Sequence, residues 1–143
     1  MENYITVVCY ANYCRSPVAE ILLREKLSEN FVVESAGLNP MFGKGMDQRS
    51  QHFLHNKGIR TSLHNPKRIS KGMMMRSSQV FALDIAILKK LNSDFPKFSG
   101  KIKLLNFQQP KILLSDPFKM QDDEYFEIME RLESVCDNLA SNL

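Results

Sequence analysis

A cysteine and an arginine separated by five residues form the pair with the clearest chemical potential in this chain. Cys9 and Arg15 lie within the run CYANYCRSP, which spans residues 9–17. A cysteine thiolate is a strong nucleophile, and a guanidinium can bind two oxygens of one phosphoryl group through parallel hydrogen bonds. The pair therefore predicts a site in which Cys9 attacks phosphorus while Arg15 holds the charge of the transition state.

The residues on either side of this run place it between a strand and a helix. An apolar, β-branched segment precedes it at residues 5–8, and a helix-like segment follows it at residues 18–23. Pro17 suits the first helical position, where its missing N–H costs nothing. The loop would direct backbone N–H groups and the positive end of the helix dipole at one spot, which favours a bound phosphate and the thiolate of Cys9. The phosphate-binding residues expected from it are Tyr10, Ala11, Asn12, Tyr13, Cys14, Arg15 and Ser16.

Ser16 has two compatible interpretations. Its hydroxyl could donate a hydrogen bond to the sulfur of Cys9 and ease the departure of that sulfur from phosphorus. It could also act simply as the N-cap of the following helix, a position that serine favours.

The bulk properties favour one globular domain over residues 1–143. The net charge of +3 is small and no block of five like charges occurs, which argues against nucleic-acid binding. No apolar stretch is long enough for a membrane span, and the N-terminus lacks the basic region of a signal peptide. We therefore expect a cytoplasmic protein with no membrane insertion.

The cysteines and histidines do not suggest a disulfide framework or a metal site. The three cysteines are Cys9, Cys14 and Cys136, and the first two lack zinc-ligand spacing. Cys136 lies on the apolar stripe of the last predicted helix, which is typical of a core residue. His52 and His55 lie on one predicted helix, where a surface position is more common than a metal pair. We expect no metal and no cofactor.

Strand-like and helix-like segments alternate along the chain. The predicted strands are residues 4–9, 31–35, 78–82 and 101–105, and the predicted helices are residues 17–29, 46–57, 84–91 and 124–140. Such alternation predicts a three-layer α/β fold, in which helices flank a four-stranded parallel sheet. Residues 93–100 are expected to be an irregular connection. Ligands bind beyond the C-terminal ends of such strands, where the loop after strand 1 would lie.

Further short motifs follow the loop in a characteristic order. They are SAGL at 35–38, GKG-x-D at 43–47, Gly58-Ile59, His64-x-x-Lys67 and Asp116-Pro117. Together with the Cys, five residues, Arg, Ser pattern, they make the chain resemble the low-molecular-weight protein tyrosine phosphatases over nearly all of its length. The GKG-x-D segment and the short loop at Asp116 look most like the bacterial branch that partners tyrosine autokinases of capsule and exopolysaccharide export.

This resemblance implies an activity and a partner. The activity is hydrolysis of phosphotyrosine through a phosphocysteine intermediate at Cys9. The implied substrate is a phosphotyrosine protein, such as the tyrosine-rich tail of an autokinase. Asp116 would be the general acid, since a leaving phenolate needs a proton. Asp122 and Asp123 are nearby alternatives, although they suit the start of the last helix better.

The resemblance also implies supporting roles. Asn12 would adopt a left-handed conformation and tie the loop together, since asparagine tolerates such a conformation. His64 would support the loop from behind. Cys14 would trap an oxidised Cys9 as a disulfide, or it would be a buried spectator.

Several residues depart from the family's usual pattern. Ala11 stands where the loop usually has glycine, and we expect strain of about 1–2 kcal/mol if its φ is positive. Tyr13 replaces an aliphatic residue and Phe118 replaces a tyrosine. With Met41 and Phe42 they predict an apolar rim that suits a flat aryl phosphate.

Two other functions stay open on the sequence alone. An arsenate reductase can share this fold and loop, but it needs further cysteines, and only Cys136 lies beyond the loop. A phosphotyrosine-binding module with a disabled site is the second alternative, because Ala11 and Tyr13 alter the loop.

Overall fold

The computed structural model describes residues 3–143, so the expectation about a signal peptide falls partly on Met1 and Glu2, outside the described residues. A four-stranded parallel sheet is its central layer, in the order β2-β1-β3-β4. The strands are β1 (Asn3–Cys9), β2 (Phe31–Gly37), β3 (Ser77–Ala82) and β4 (Ile102–Leu104). The interior strand β1 is buried on both faces, which explains why it is a continuous apolar run rather than an alternating one.

Helices cover both faces of the sheet. In chain order they are α1 (Arg15–Lys26), α2 (Gln48–Asn56), α3 (Lys71–Arg76), α4 (Ile85–Asp94) and α5 (Asp122–Ser141). Successive residues of β1 point to opposite faces, so Val7 packs into the core beneath α1, α2 and α5, while Val8 packs beneath α3 and α4. The predicted α/β fold with a parallel sheet between helical layers is confirmed.

The first helix begins earlier than predicted. It starts at Arg15 rather than Pro17, and it ends at Lys26 rather than near Glu29. Because the first N–H groups of a helix have no partner within the helix, Pro17 fits inside the first turn without loss. The N-cap is Cys14, so Ser16 is not the N-cap and that interpretation is wrong.

Other predicted boundaries also shift. The second helix begins at Gln48 instead of Met46, because Asp47 is its N-cap and accepts a hydrogen bond of 2.8 Å from the backbone N–H of Arg49. Gly58, just beyond that helix, has a φ of 76°, as expected of a glycine that ends a helix. Both Asp122 and Asp123 lie in the first turn of α5, where negative charge is favourable.

Two segments were not predicted as helices. Residues 71–76 form α3, whose Met73 and Met74 are buried in the core whereas Met75 is exposed. The predicted irregular connection at residues 93–100 is wrong: α4 continues to Asp94, and a short 3-10 helix occupies Pro96–Lys101.

Two remaining expectations concern the histidines of α2 and the absence of a membrane span. His52 and His55 are exposed on α2 and contact different partners, Asn56 and Thr61, each at 3.2 Å. Among residues 3–143, the helices are too short or too polar to cross a membrane.

Candidate active site

The loop that follows β1 wraps around the C-terminal end of that central strand. Its backbone is held by the segment after β2: Asn39 N donates to Tyr10 O at 2.7 Å, and Met41 N donates to Ala11 O at 3.0 Å. A side chain at Gly37 would lie 2.8 Å from the backbone of both Tyr10 and Asn12. Glycine is therefore required at position 37 for the loop to lie this close to β2.

The sulfur of Cys9 lies at the floor of this loop. Cys9 is 3% exposed, and the N–H of Asn12 donates to its Sγ at 3.2 Å. The Oγ of Ser16 is 2.9 Å from the same sulfur. Asn12 Nδ2 donates to that Oγ at 2.8 Å, so the hydroxyl proton of Ser16 can point either at the sulfur or, over a longer distance of 3.4 Å, at Ala36 O. A thiolate at 2.9 Å is the closer acceptor. The loop thus supplies two donors that stabilise negative charge on sulfur.

Asn12 ties the loop to its surroundings, as expected. Its φ is 52°, and among the described residues it is the one non-glycine residue with a positive φ. The buried side chain donates to Ser35 Oγ at 2.9 Å and accepts from Lys67 N at 3.0 Å. His64 Nε2 lies 2.7 Å from the carbonyl oxygen of Asn12, so that nitrogen must carry the donated proton.

Arg15 is almost completely buried, at 1% exposure, and one arm of its guanidinium is fixed by the protein. Its Nη1 donates to Asp84 Oδ2 at 2.8 Å and to Leu114 O at 2.6 Å. Because a buried charge is costly without a partner, Asp84 is what allows the guanidinium to remain here. The hydrogen bonds found among the described residues use only Nη1, so Nε and Nη2 are available for phosphoryl oxygens.

The three residues predicted to carry the reaction line one cavity of about 510 Å³. They are Cys9, Arg15 and Asp116, and the last lies 107 positions along the chain from the first (116 − 9). Asp116 is exposed, and its Oδ1 accepts a hydrogen bond of 3.1 Å from Phe118 N, while Pro117 is buried. The fold therefore brings a carboxyl group to the mouth of the loop that holds the nucleophile.

The walls of this cavity are largely apolar. Tyr10, Met41 and Phe118 line it, and Tyr13 packs edge-on against Phe118 with ring centroids 6.0 Å apart. Phe42 is 60% exposed and does not line the cavity, so the predicted rim holds for Met41 but not for its neighbour.

Comparison with known proteins identifies the family of this chain. Residues 4–143 match the family described as low molecular weight phosphotyrosine protein phosphatase. The chain belongs to this family. A relative is the probable low molecular weight protein-tyrosine-phosphatase EpsP of Ralstonia nicotianae, which is 28% identical over 137 residues that cover 96% of this chain and 93% of EpsP.

Solved structures of similar proteins include one phosphatase named for tyrosine and one named for arginine. The tyrosine phosphatase AmsI of Erwinia amylovora is 26% identical with a TM-score of 0.92, covering 100% of this chain and 94% of AmsI. The arginine phosphatase YwlE of Geobacillus stearothermophilus is 27% identical with a TM-score of 0.90, covering 98% of this chain and 92% of YwlE. The predicted family and enzyme class, protein tyrosine phosphatase, are confirmed, which counts against an arsenate reductase. The fold alone does not select the amino acid that carries the phosphoryl group.

The departure at Ala11 is less disruptive in this phosphatase than expected. Since Asn12 is the non-glycine residue with positive φ among those described, Ala11 has a negative φ, and the expected strain is absent. Its side chain therefore adds no conformational strain to the backbone, and Ala11 forms part of the cavity lining. Glycine at this position would therefore relieve no backbone strain.

Cys14 is buried in the same loop as the nucleophile but differs from Cys9 in its surroundings. Its Sγ donates to Asp47 Oδ2 at 3.8 Å. Burial is the main cause of a pKa of about 12 for the Cys14 thiol, and the carboxylate of Asp47 acts in the same direction. Cys14 therefore stays protonated at neutral pH and is not the first thiol to oxidise. Cys136 is fully buried in the core, as expected, and burial raises the pKa of its thiol too.

Mild peroxide should inactivate the phosphatase reversibly through a Cys9–Cys14 disulfide. A sulfenic acid on Cys9 would condense with the Cys14 thiol, forming the S–S bond and releasing water. The Cys14→Ser variant should then lose recovery by dithiothreitol at higher peroxide doses, because Cys9 proceeds to sulfinic acid. Peptide mapping of the oxidised protein checks this, and a map without a Cys9–Cys14 link would contradict it.

Sequence reasoning missed two residues that the fold brings to the site. Asp84, which pairs with Arg15, could be predicted only as the start of a helix, and it is indeed the N-cap of α4. Arg49 donates to backbone carbonyls of the loop that bears Asp116. The only feature of the sequence that could have indicated this residue is its position two residues after Asp47.

Proposed function

We propose that this protein hydrolyses phosphotyrosine with Cys9 as nucleophile, Arg15 as the phosphoryl-binding residue and Asp116 as general acid and base. The observation that carries the proposal is that these three residues line one cavity whose floor is the sulfur of Cys9. No cofactor is needed in this scheme, because the guanidinium and the loop N–H groups supply the positive charge that a phosphoryl group requires.

In the first step, the thiolate of Cys9 attacks phosphorus in line with the tyrosine oxygen. The S–P bond forms, the P–O bond to tyrosine breaks, and Asp116 transfers its proton to the departing oxygen. The free nitrogens of Arg15 and the loop N–H groups other than that of Asn12, which donates to the sulfur, hold the phosphoryl oxygens throughout. The product is phosphocysteine, with Asp116 left as a carboxylate.

In the second step, the Asp116 carboxylate accepts a proton from water while the water oxygen attacks phosphorus. The S–P bond breaks and phosphate is released. Cys9 leaves as a thiolate, and the hydroxyl of Ser16 and the N–H of Asn12 stabilise it through the contacts of 2.9 and 3.2 Å. Asp116 ends the cycle protonated, ready for the next substrate.

The cavity walls favour phosphotyrosine over phosphoarginine. Tyr10, Met41 and Phe118 offer apolar contact to an aryl ring. The additional N–H groups of a phosphoguanidinium would lose water against these walls, and each unsatisfied donor costs about 1–3 kcal/mol. An aryl ester avoids that loss.

A substrate comparison tests the proposed function. We expect kcat/KM for a phosphotyrosine peptide to exceed that for a phosphoarginine peptide of the same flanking sequence by roughly five- to 150-fold, the factor that corresponds to one lost hydrogen bond. Phosphate release is the measurement, and NADPH-coupled arsenate reduction is the control reaction. Equal rates on both peptides, or arsenate reduction without phosphate release, would contradict the proposal.

One segment of the chain carries an excess of positive charge, which suggests an acidic partner. From Ser35 to Leu83 the only acidic residue is Asp47, whereas the segment contains Lys44, Arg49, Lys57, Arg60, Lys67, Arg68, Lys71 and Arg76. Some of these cations are paired, but Arg68 donates to Leu38 O next to the loop, and Lys119 lines the cavity. We infer that the substrate is an acidic, phosphotyrosine-bearing segment, such as the tail of a tyrosine autokinase. A cytoplasmic location is part of this proposal, and the three free thiols suit a reducing compartment.

Salt should weaken this recognition selectively. We expect kcat/KM for an acidic phosphotyrosine peptide to fall as salt rises from about 0.05 M to 0.5 M, because screening shortens the reach of exposed charges. A phosphotyrosine peptide with neutral flanks is the control and should lose less. The same salt dependence for both peptides would argue against a cationic docking surface.

A further inference from the structure

The loop that bears Asp116 has no regular structure of its own to hold it. Residues 105–121 connect β4 to α5 and contain neither helix nor strand. Within them, a turn closes through Met120 N donating to Pro117 O at 2.9 Å. A general acid must lie within hydrogen-bond reach of the leaving oxygen, so this connection needs an external support.

Arg49 contacts the loop on the C-terminal side of Asp116. Its Nη1 donates to Met120 O at 2.9 Å, and its Nη2 donates to Phe118 O at 3.1 Å. Both acceptors belong to the turn that directly follows the acid. Since a guanidinium is planar and presents its donors in a fixed geometry, binding two carbonyls at once restricts both the position and the orientation of that turn.

Arg49 is itself held in place. Nε and Nη2 bind the two carboxylate oxygens of Asp47 at 3.1 and 3.0 Å, and the guanidinium lies 3.9 Å from the ring centre of Tyr125. Asp122 Oδ1 approaches Nη1 at 3.9 Å. The side chain is 24% exposed, so it is ordered by contacts on several sides rather than by one surface ion pair.

Asp47 also contacts the phosphate-binding loop, through both its backbone and its carboxylate. Asp47 N donates to Tyr13 O at 3.1 Å, and the thiol of Cys14 donates to Asp47 Oδ2. The Asp47–Arg49 pair therefore spans the distance between the loop that holds the nucleophile and the loop that holds the acid. Each loop is fixed relative to the start of α2, and so relative to the other.

We propose that Arg49 is a positioning residue that holds Asp116 at the distance from Cys9 that the reaction requires. This inference rests on the proposed role of Asp116 as general acid. Arg49 does not contact the substrate in this scheme, and it acts only through the loop. Removing its side chain should therefore weaken proton donation while the nucleophile, Arg15 and the phosphate-binding loop continue to work.

The test compares Arg49→Met and Arg49→Lys with wild type on two substrates. On a phosphotyrosine peptide, whose leaving group needs a proton, kcat/KM should fall about tenfold or more with Arg49→Met, within the factor of roughly 10²–10⁴ that a general acid contributes. On an aryl phosphate with a strongly acidic phenol, kcat/KM should change less than about threefold. Arg49→Lys keeps the charge but loses the planar fork, so it should show an intermediate loss.

A double-mutant cycle separates this inference from the proposed function. If Arg49 acts through Asp116, Arg49→Met should have no further effect on kcat/KM in an Asp116→Ala background. Loss of the same size on both substrates, or an undiminished loss in that background, would overturn the positioning role. A normal effect of Asp116→Ala alongside an inert Arg49→Met would overturn it too, while leaving the role of Asp116 intact.

Arg131→Met is the matched control. Arg131 also donates to a backbone carbonyl of the same connection, Leu113 O at 3.4 Å, but it lies on the N-terminal side of Asp116 and pairs with Glu127 on the surface of α5. Its kcat/KM should match wild type on both substrates. Melting curves accompany every variant, and the ratio of the two kcat/KM values is read within one variant, so a smaller folded fraction cancels.

Discussion

Replacing Cys9 with serine should abolish phosphate release while the protein continues to bind phosphotyrosine. A hydroxyl is a far weaker nucleophile than a thiolate, so we expect kcat to fall by a factor on the order of 10⁶, as when a hydrolase loses its nucleophile. Binding should persist because Arg15, its partner Asp84 and the loop N–H groups are unchanged. Phosphate release and calorimetric titration with a phosphotyrosine peptide are the two measurements.

Cys136→Ser is the control for this experiment. Cys136 belongs to α5, is fully buried in the core and does not line the cavity, so this variant should keep its kcat even if its melting temperature falls. Appreciable turnover by Cys9→Ser would remove Cys9 from the mechanism. Loss of binding together with loss of turnover would instead mean that the substitution disturbs the phosphate-binding loop.

Replacing Asp116 with alanine should slow phosphotyrosine hydrolysis by roughly 10²–10⁴-fold. Only a poor leaving group needs a proton in the transition state, so an aryl phosphate with an acidic phenol should lose much less. The measurement is kcat/KM, which reports the first step and not the hydrolysis of phosphocysteine, for a series of aryl phosphates whose phenols differ in acidity. In the variant, kcat/KM should depend more steeply on that acidity than it does in wild type.

Asp123→Asn is the matched control, since its carboxylate lies in the first turn of α5 a few residues from the acid loop. It does not line the cavity, so this variant should keep the wild-type dependence on the leaving group. If Asp116→Ala slowed good and poor leaving groups equally, Asp116 would not be the proton donor. A steeper dependence in Asp123→Asn would point to that residue instead.

Residues that are close in sequence made the nucleophile's loop predictable. Cys9, Asn12, Arg15 and Ser16 lie within eight consecutive positions, and the contacts from Ser16 and the Asn12 N–H to the sulfur form within this loop. The strand before it and the helix after it were predicted from apolar periodicity, which also predicted the parallel sheet. Such local and periodic patterns depend on residues that are close in sequence, so they can be recognised without knowledge of the fold.

Helix ends and backbone conformations were less predictable. The start of α1 at Arg15 depends on a Cys14 cap without a side-chain hydrogen bond, which leaves no mark in the sequence. The short helix α3 contains Gly72, a weak helix former, and is held by burial of Met73 and Met74. Ala11 is not among the residues with positive φ, so the usual presence of glycine at that position was a poor guide to strain there.

The sequence by itself determined the parallel α/β fold, the loop with its nucleophile and the family. Only the tertiary structure decided what holds that chemistry in place. Asp84 reaches Arg15 across 69 positions, Leu114 reaches it across 99, and Arg49 reaches the acid loop across 69 and 71. Contacts at such separations arise from the way strands and helices pack together. A single sequence records the residues that make these contacts but not which residues meet.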